Sequence, residues 1–244
     1  MPASTSAPVQ DDARCAGAEQ ELQAFSYIVS HDLAASLRHM AEFSRLLVGE
    51  LGEGATDRQQ TYAAHIRAAT GKCQTMMEQL LVFSRVQQRT LAPAPQDATL
   101  TMRLCLLQLS VELQDAGAEV TVEPLGEVHA DLDLLALAFR HLLANAIKFH
   151  RPNVRPRIVI QAAHDDAFWR LRVADNGLGV ESTYRDKAFG MFQRLNGEGA
   201  YPGVGAGLAI CRRIARRHGG DVTFLDGAEG ACVELALPRP ETLQ

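Results

Sequence analysis

The chain has 244 residues, a formal net charge of −5, and 47% apolar against 22% charged residues. That balance suits a globular protein of one large or two small domains, and the acidic excess argues against a general nucleic-acid binder. Five scattered cysteines (Cys15, Cys73, Cys105, Cys211, Cys232) form no CxxC pair, and no run approaches about 18 consecutive apolar residues, so a disulfide or zinc framework and a membrane span are not expected and a reducing, cytoplasmic setting fits.

Residues 1–17 are rich in Ala, Ser, Pro, Asp and Gln and read as a disordered leader, without the basic-then-apolar layout of a signal peptide. A long helix is expected from about Ala18 to Glu50. Its apolar residues Leu22, Phe25, Val29, Leu33, Leu37, Met40, Phe43 and Leu47 recur in steps of three and four, the seam of a helix packed on other helices. His31, followed directly by Asp32, lies about 200° of helical rotation from Val29 and from Leu33, off that seam. A wet-face histidine beside a carboxylate suits a nucleophile with an orienting base; it equally suits an idle surface histidine.

Gly49, Gly52 and Gly54 break this helix, and Thr56 or Asp57 caps the next. The second helix carries Tyr62, Ile66, Ala69, Cys73, Met76, Leu80 and Phe83 in the same rhythm. Two helices of about 45–50 Å joined by a short Gly-rich loop make an antiparallel hairpin. Its interior is too small to stand alone, so a two-fold dimer completing a four-helix bundle is expected, although a coiled-coil spacer needs the same seam. The hairpin spans 18–92. Pro93 and Pro95 then make 93–98 a stiff linker.

Residues 99–240 form a second domain of mixed α and β character. Leu100–Asp115 reads as one helix, although its first residues also suit a strand, and Glu119–Glu123 and Glu127–Ala130 as short strands. Asp131–Phe149 is a strong helix, and Arg157–Ala163 and Phe168–Ala174 are alternating strands. A Gly-rich stretch leads to a helix over Gly205–His218 and to strands Asp221–Leu225 and Ala231–Leu237. Strands with inserted helices suggest an α/β sandwich with its helices on one face.

Three pieces of this domain carry chemistry. On helix Asp131–Phe149, His141, Asn145 and Lys148 fall within about 60° of one another, opposite Leu135, Phe139, Leu142, Leu143 and Ala146. An amide oxygen suits Mg²⁺ and an ammonium suits phosphate, but a polar face on an amphipathic helix is more often just solvated. Asp175-Asn-Gly177-Leu-Gly179 follows a strand; a carboxylate there accepts from an amine such as that of adenine, and the same letters also spell a plain turn. Gly203-Val-Gly205-Ala-Gly207-Leu208 opens a helix whose free N–H groups suit an anion. It lies too near the chain's end for a dinucleotide-binding βαβ unit. Between the last two pieces, Phe189-Gly-Met-Phe192-Gln-Arg194 and a Gly-rich loop read as a hinged lid, with Arg194 placed to meet a terminal phosphate.

In this order the pieces resemble the sensor histidine kinases of two-component signalling over about residues 19–240. His31-Asp-Leu matches the phosphoacceptor box, His141…Asn145…Lys148-Phe149 the N box, Asp175–Gly179 the first glycine box, Phe189…Phe192 the F box, and Gly203–Leu208 the second glycine box. Phe25-Ser-Tyr-Ile-Val-Ser-His-Asp-Leu and Met191-Phe-Gln-Arg-Leu are most similar to the phytochrome-associated branch, although no input domain is expected from the residues ahead of them.

The resemblance implies a GHKL-type (Bergerat) ATP-binding domain in a homodimeric autokinase. ATP and Mg²⁺ would be the cofactors, a response-regulator aspartate the next acceptor, and a separate protein the sensor. By position it implies His31 as phosphoacceptor and Asp32 as base. Asn145 would hold Mg²⁺, with Lys148 on the phosphates and His141 and Phe149 beside them. Asp175 would read adenine, Gly177, Gly179, Gly203, Gly205, Gly207 and Leu208 would shape the pocket, and Arg194 would meet the transferred group.

Departures from the family pattern carry their own expectations. Ser36 replaces the usual proline, so the first helix should kink less. Ala35 replaces a water-positioning Thr or Asn, which implies weak phosphatase activity. His141 replaces an asparagine, and Val204 a hydroxyl residue. A histidine phosphotransfer relay with a decayed ATP domain should have lost the Asn, Asp or glycines, and none is lost. A gyrase-type or mismatch-repair ATPase has no use for the His31 hairpin, and a pseudokinase scaffold is separated only by an activity test.

Overall fold

A computed structural model describes residues 36–50, 52–54, 56–195, 201–226 and 229–240. His31, Asp32, Ala35 and the leader lie outside these residues, as does the stretch 196–200 within the expected lid. The chain divides into two compact units, Met1–Arg85 and Val86–Gln244.

The first unit is a helical hairpin. Helix α1 covers 36–50, a 3₁₀ turn follows at Gly52–Gly54, and α2 runs Asp57–Gln88, its last turn belonging to the second unit. Thr56 is the cap. Its N–H donates to Gln59 Oε1 at 2.8 Å and its hydroxyl oxygen accepts from the Gln59 N–H at 3.4 Å, the reciprocal pair of a capping box. Small residues, Ser44, Ala63, Thr70 and Ser84, are the ones buried among the described residues of this unit. Five large seam residues are not covered by their own hairpin: Met40, Phe43 and Leu47 are 51%, 70% and 57% exposed, and Tyr62 and Ile66 are 53% and 47% exposed. The seam was expected to pack on other helices, and within one chain these five residues stay largely exposed while Met76, Leu80 and Phe83 are half-buried.

The second unit is an α/β domain. Its elements are β1 Ala94–Asp97, α3 Ala98–Gln108, α4 Ser110–Asp115, β2 Glu119–Val122, β3 Glu127–Ala130, α5 Leu132–Lys148, β4 Arg157–His164, β5 Phe168–Asp175, a 3₁₀ turn at Ser182–Tyr184, α6 Arg185–Ala188, α7 Gly207–Arg217, β6 Asp221–Phe224 and β7 Cys232–Pro238. Five strands form one sheet in the order β2-β4-β5-β7-β6, with β2 parallel to β4 and the other neighbours antiparallel. Register sets Ile158 opposite Asp175 and Ala174 opposite Cys232, so Asp175 ends its strand beside the start of β7.

Two sequence expectations are corrected here. The segment 93–98 is not a plain linker, because Ala94–Asp97 pairs antiparallel with β3 in a two-stranded sheet. Pro95 lacks an N–H, which an edge position tolerates. Leu100–Asp115 is not one helix: α3 starts at Ala98, capped by Asp97 Oδ1 accepting from Leu100 N–H at 2.9 Å, and breaks at Leu109, whose ψ of 17° leaves the helical range.

The core lies between the sheet and α3, α5 and α7. Phe139, Leu135 and Leu143 from α5, Met102 from α3 and Ile210 and Ile214 from α7 meet Ile158, Ile160, Leu171 and Leu235 from the sheet, each less than 2% exposed. Full burial of such side chains is worth about 1.5–3 kcal/mol apiece. The Phe139 ring lies 6.4 Å from that of Trp169, whose indole N–H donates to Leu125 O at 2.8 Å. Helix α5 is fixed at its start by Asp131. Its Oδ1 accepts from Leu134 N–H at 3.2 Å, its Oδ2 from Arg89 Nε at 3.2 Å and Ala92 N–H at 3.3 Å, and its own N–H donates to His218 Nε2 at 3.0 Å. With this end tied down and one face in the core, the opposite face of α5 has a fixed place. No helix of the described residues is long and apolar enough to cross a membrane.

Candidate functional site

The polar face of α5 meets the glycine-rich N-terminus of α7. A Cβ built on Gly207 would lie 3.3 Å from His141 Nδ1 and 3.7 Å from Asn145 Nδ2, and one built on Gly203 would lie 3.4 Å from Lys148 Nζ. Three side chains of one helix face and two glycines some sixty residues on therefore line one wall. These groups are half-buried, not freely solvated. Among the described residues, His141 Nε2 is buried without a hydrogen-bond partner. Neither the Asn145 carboxamide nor the Lys148 ammonium has a hydrogen bond or ion pair there. Buried polar groups are nearly always satisfied, so such a cluster has room for an added polar ligand.

The electrostatics point the same way. Burial, reinforced by Arg140 and Lys148, pulls His141 down to about 4, so its imidazole is neutral at physiological pH. Lys148 also lies below its ordinary value, through burial and then the nearby Arg194. Its ammonium sits 4.2 Å from the Phe149 ring centroid, a cation–π contact that partly offsets the desolvation. A polyanion placed here would relieve both costs.

Arg194 is held near this wall. Its Nη2 donates to Tyr201 O at 2.8 Å, the Tyr201 hydroxyl donates to His150 O at 3.0 Å, and the Tyr201 ring lies 5.3 Å from that of Phe149. Gly205 packs on the segment just before Arg194: at φ +78°, its missing Cβ would stand 2.3 Å from Gln193 O. Phe189 is buried, with its ring 5.2 Å from that of Phe224 and the Arg212 guanidinium 4.8 Å above it. Val204 is buried as well, and Leu208 is half-buried in the first turn of α7.

The other end of the site is built around Asp175. Its Oδ1 accepts from Gly177 N–H at 2.8 Å and Ala231 N–H at 3.0 Å. Burial pushes this carboxyl above its ordinary value, and the two backbone donors and Arg151 pull it part of the way back. Gly177 lies under Phe149 O, and Leu178 N–H donates to that same oxygen at 3.0 Å. Gly179, at φ +71°, approaches Gly230 O to 3.0 Å measured from its missing Cβ. Asn176 is structural: its side chain accepts from Arg157 N–H at 2.8 Å and donates to Arg155 O at 3.0 Å.

Three contributors were not singled out by motif reading. Gly230 and Ala231 enter through the turn before β7, and Arg151 through the segment after α5. A glycine just ahead of the last strand was the one local hint. Among the described residues no group of three or more His, Cys, Asp or Glu could hold a metal; the Asn145 oxygen, a hard ligand beside an ammonium and a glycine N-terminus, fits Mg²⁺ that arrives with a polyphosphate. Cys73, Cys105, Cys211 and Cys232 are free thiols.

Residues 130–241 match the family model described as histidine kinase-, DNA gyrase B- and HSP90-like ATPase. The chain is 32% identical over 219 residues to cyanobacterial phytochrome A of Nostoc sp., covering 89% of this chain and 28% of that protein. It is 30% identical over 238 residues to the sensor protein KdpD of Escherichia coli, covering 94% of this chain and 26% of that protein. The chain thus spans less than a third of the length of these relatives. The crystal structure of full-length ShkA in complex with AMPPNP superposes with a TM-score of 0.64 at 26% identity, covering 90% of this chain and 45% of that one.

Proposed function

This chain carries the catalytic core of a sensor histidine kinase, and on that premise we propose that it is a homodimeric autokinase that phosphorylates His31 from ATP. The observation that carries the reading is the wall where His141, Asn145 and Lys148 meet Gly203 and Gly207, all three side chains with polar capacity left over. The triphosphate lies along this wall, its charge met by Lys148 and by the N-terminal N–H groups of α7. Asn145 Oδ1 would hold Mg²⁺, which would supply neutralisation of phosphate charge. Asp175 accepts from the adenine amine through the oxygen not used by Gly177 and Ala231. Arg194 steadies the group in flight.

In the transfer, a His31 ring nitrogen attacks the γ-phosphorus and Asp32 takes the ring proton. The bond from that phosphorus to the β,γ-bridging oxygen breaks, and ADP leaves. Phospho-His31 then gives its phosphoryl group to a receiver-domain aspartate. The test is incubation with γ-labelled ATP and Mg²⁺. An acid-labile, base-stable label that is absent from His31→Ala supports the autokinase. An unlabelled wild type that accepts label from a phosphorylated receiver would make the chain a relay module, and one that neither labels nor accepts would make it a scaffold.

Two expectations attach to this reading. The exposed stripe Met40, Phe43 and Leu47, with Tyr62 and Ile66, is the surface on which a second copy completes a four-helix bundle. Phe43→Asp places a charge in the middle of it and should turn dimer into monomer by sedimentation; a variant that sediments like the wild type removes this surface from consideration. Ala35, where kinases that double as phosphatases carry a water-positioning side chain, should leave that activity weak. Rapid, nucleotide-independent loss of phosphate from a cognate receiver would contradict this.

In this proposal the work is done in the cytoplasm, where a reducing pool keeps the thiols free.

A further inference from the structure

The base end of the site is not built from one continuous motif. Asp175 O accepts from Gly230 N–H at 3.1 Å and Asp175 N–H donates to Ala231 O at 2.8 Å. Gly230 fits because it has no side chain: a Cβ there would stand 2.3 Å from Gly177 N and 2.6 Å from Asp175 Oδ1. The strand end carrying Asp175 and the turn before β7 therefore interlock through the backbone. Arg151, from a third segment, spans the joint. Its Nε donates to Gly177 O at 2.9 Å, its Nη2 donates to Glu229 O at 2.6 Å, and its Nη1 lies 3.8 Å from the Glu229 carboxylate.

We propose that Arg151 is a positioning residue for nucleotide-base selection, its guanidinium bridging the Gly177 and Glu229 carbonyls and so fixing the Asp175 carboxylate between them. The inference rests on the ATP reading above. A planar fork with two directed donors suits this task better than a flexible ammonium, because it sets the angle between the two carbonyls as well as their distance. Asp175 Oδ1 is occupied by the N–H groups of Gly177 and Ala231, which are the residues the fork braces or adjoins. Their placement sets the rotation of the carboxyl group and hence the direction of Oδ2.

Arg151 also acts through charge. An ionised Asp175 is purely an acceptor and matches the amine of adenine; a protonated one presents a donor and matches a keto oxygen such as that of guanine. Burial favours the protonated form, and the Arg151 cation opposes it. The other groups around Asp175 are the Cys232 thiol on β7, itself pushed up chiefly by burial, and Glu229, which is shared between Arg151 and Arg157 Nη2 at 3.3 Å. Arg151 is the cation that acts on this carboxyl.

Calorimetric titration of the full chain with Mg-ATP and Mg-GTP, from acid to neutral pH, separates the outcomes. Arg151→Gln should weaken ATP about tenfold at neutral pH, the size expected for lost charge-assisted hydrogen bonds. The loss should grow toward acid pH, since Asp175 then takes up its proton at a higher pH than in the wild type. GTP should be affected less, so that discrimination narrows. Arg151→Lys keeps the charge without the fork and should retain the wild-type pH profile with weakened affinity. Equal weakening of both nucleotides by Arg151→Gln with an unchanged pH profile, or no weakening at all, overturns the inference while leaving the kinase reading in place. A wild type that binds no ATP overturns both.

Discussion

Asn145→Ala should lower the single-turnover rate of autophosphorylation by about 10²–10³, the size seen when one preorganised electrostatic group is removed from a phosphoryl or acyl transfer site. Stability should hardly change. Asn145 is half-buried on α5, and its carboxamide has no hydrogen bond among the described residues, so truncation orphans no partner. Alanine is also the better helix former, by up to about 0.7 kcal/mol. Rate and melting temperature should therefore separate: a large kinetic loss at an unchanged or slightly raised Tm. A rate within tenfold of the wild type would remove Asn145 from the site. A large fall in Tm would mean that the side chain holds the helix and not a ligand. His31→Ala provides the complementary case, with no label and intact ATP binding.

Gly205→Ala should weaken ATP binding by about 10-fold to 100-fold, because it strikes the phosphate wall through the backbone. At φ +78° an L side chain costs about 1–2 kcal/mol. The added Cβ would also stand 2.3 Å from Gln193 O and 2.9 Å from Gln193 C, both main-chain atoms that cannot rotate away. Either the 203–207 stretch or the 190–195 segment must move, and each borders the α5 face through Gly203, Gly207 or Arg194. Calorimetric titration with Mg-ATP measures the loss. Gly49→Ala, where a Cβ meets nothing within 4 Å, is the control and should bind like the wild type. Equal affinities for the two variants would show that the loop conformation does not matter to the ligand.

Much of the fold was legible because its signals are local. The apolar stripe of Leu135, Phe139, Leu142, Leu143 and Ala146 marked both a helix and its buried face, and all five are buried. The alternation in 157–163 and 168–174 marked a hairpin, and Asp165 closes it by accepting from the N–H groups of Ala167 and Phe168 at 2.9 and 2.7 Å. Ala94–Asp97 was harder, since Pro-Ala-Pro reads as a linker and its partner β3 lies thirty residues on. The break at Leu109 was harder still, for the apolar rhythm continues through it. The seam of the hairpin was read correctly as apolar, but periodicity does not say whether the covering surface comes from the same chain or another.

The sequence by itself determined which groups are available and in what order: His31 beside Asp32, a helix with His141, Asn145 and Lys148 on one face, Asp175 at a strand end, and a glycine-rich helix start. Each of these is written within a few residues, where backbone geometry and side-chain spacing follow from chemistry alone. Only the tertiary structure decided that Gly203 and Gly207 come to rest against that polar face, and that Arg151, Gly230 and Ala231 close around Asp175. Those contacts join residues 26 to 78 positions apart. No local pattern encodes such a pairing; it is set by how the sheet orders its strands and how the core seats α5 and α7 upon them.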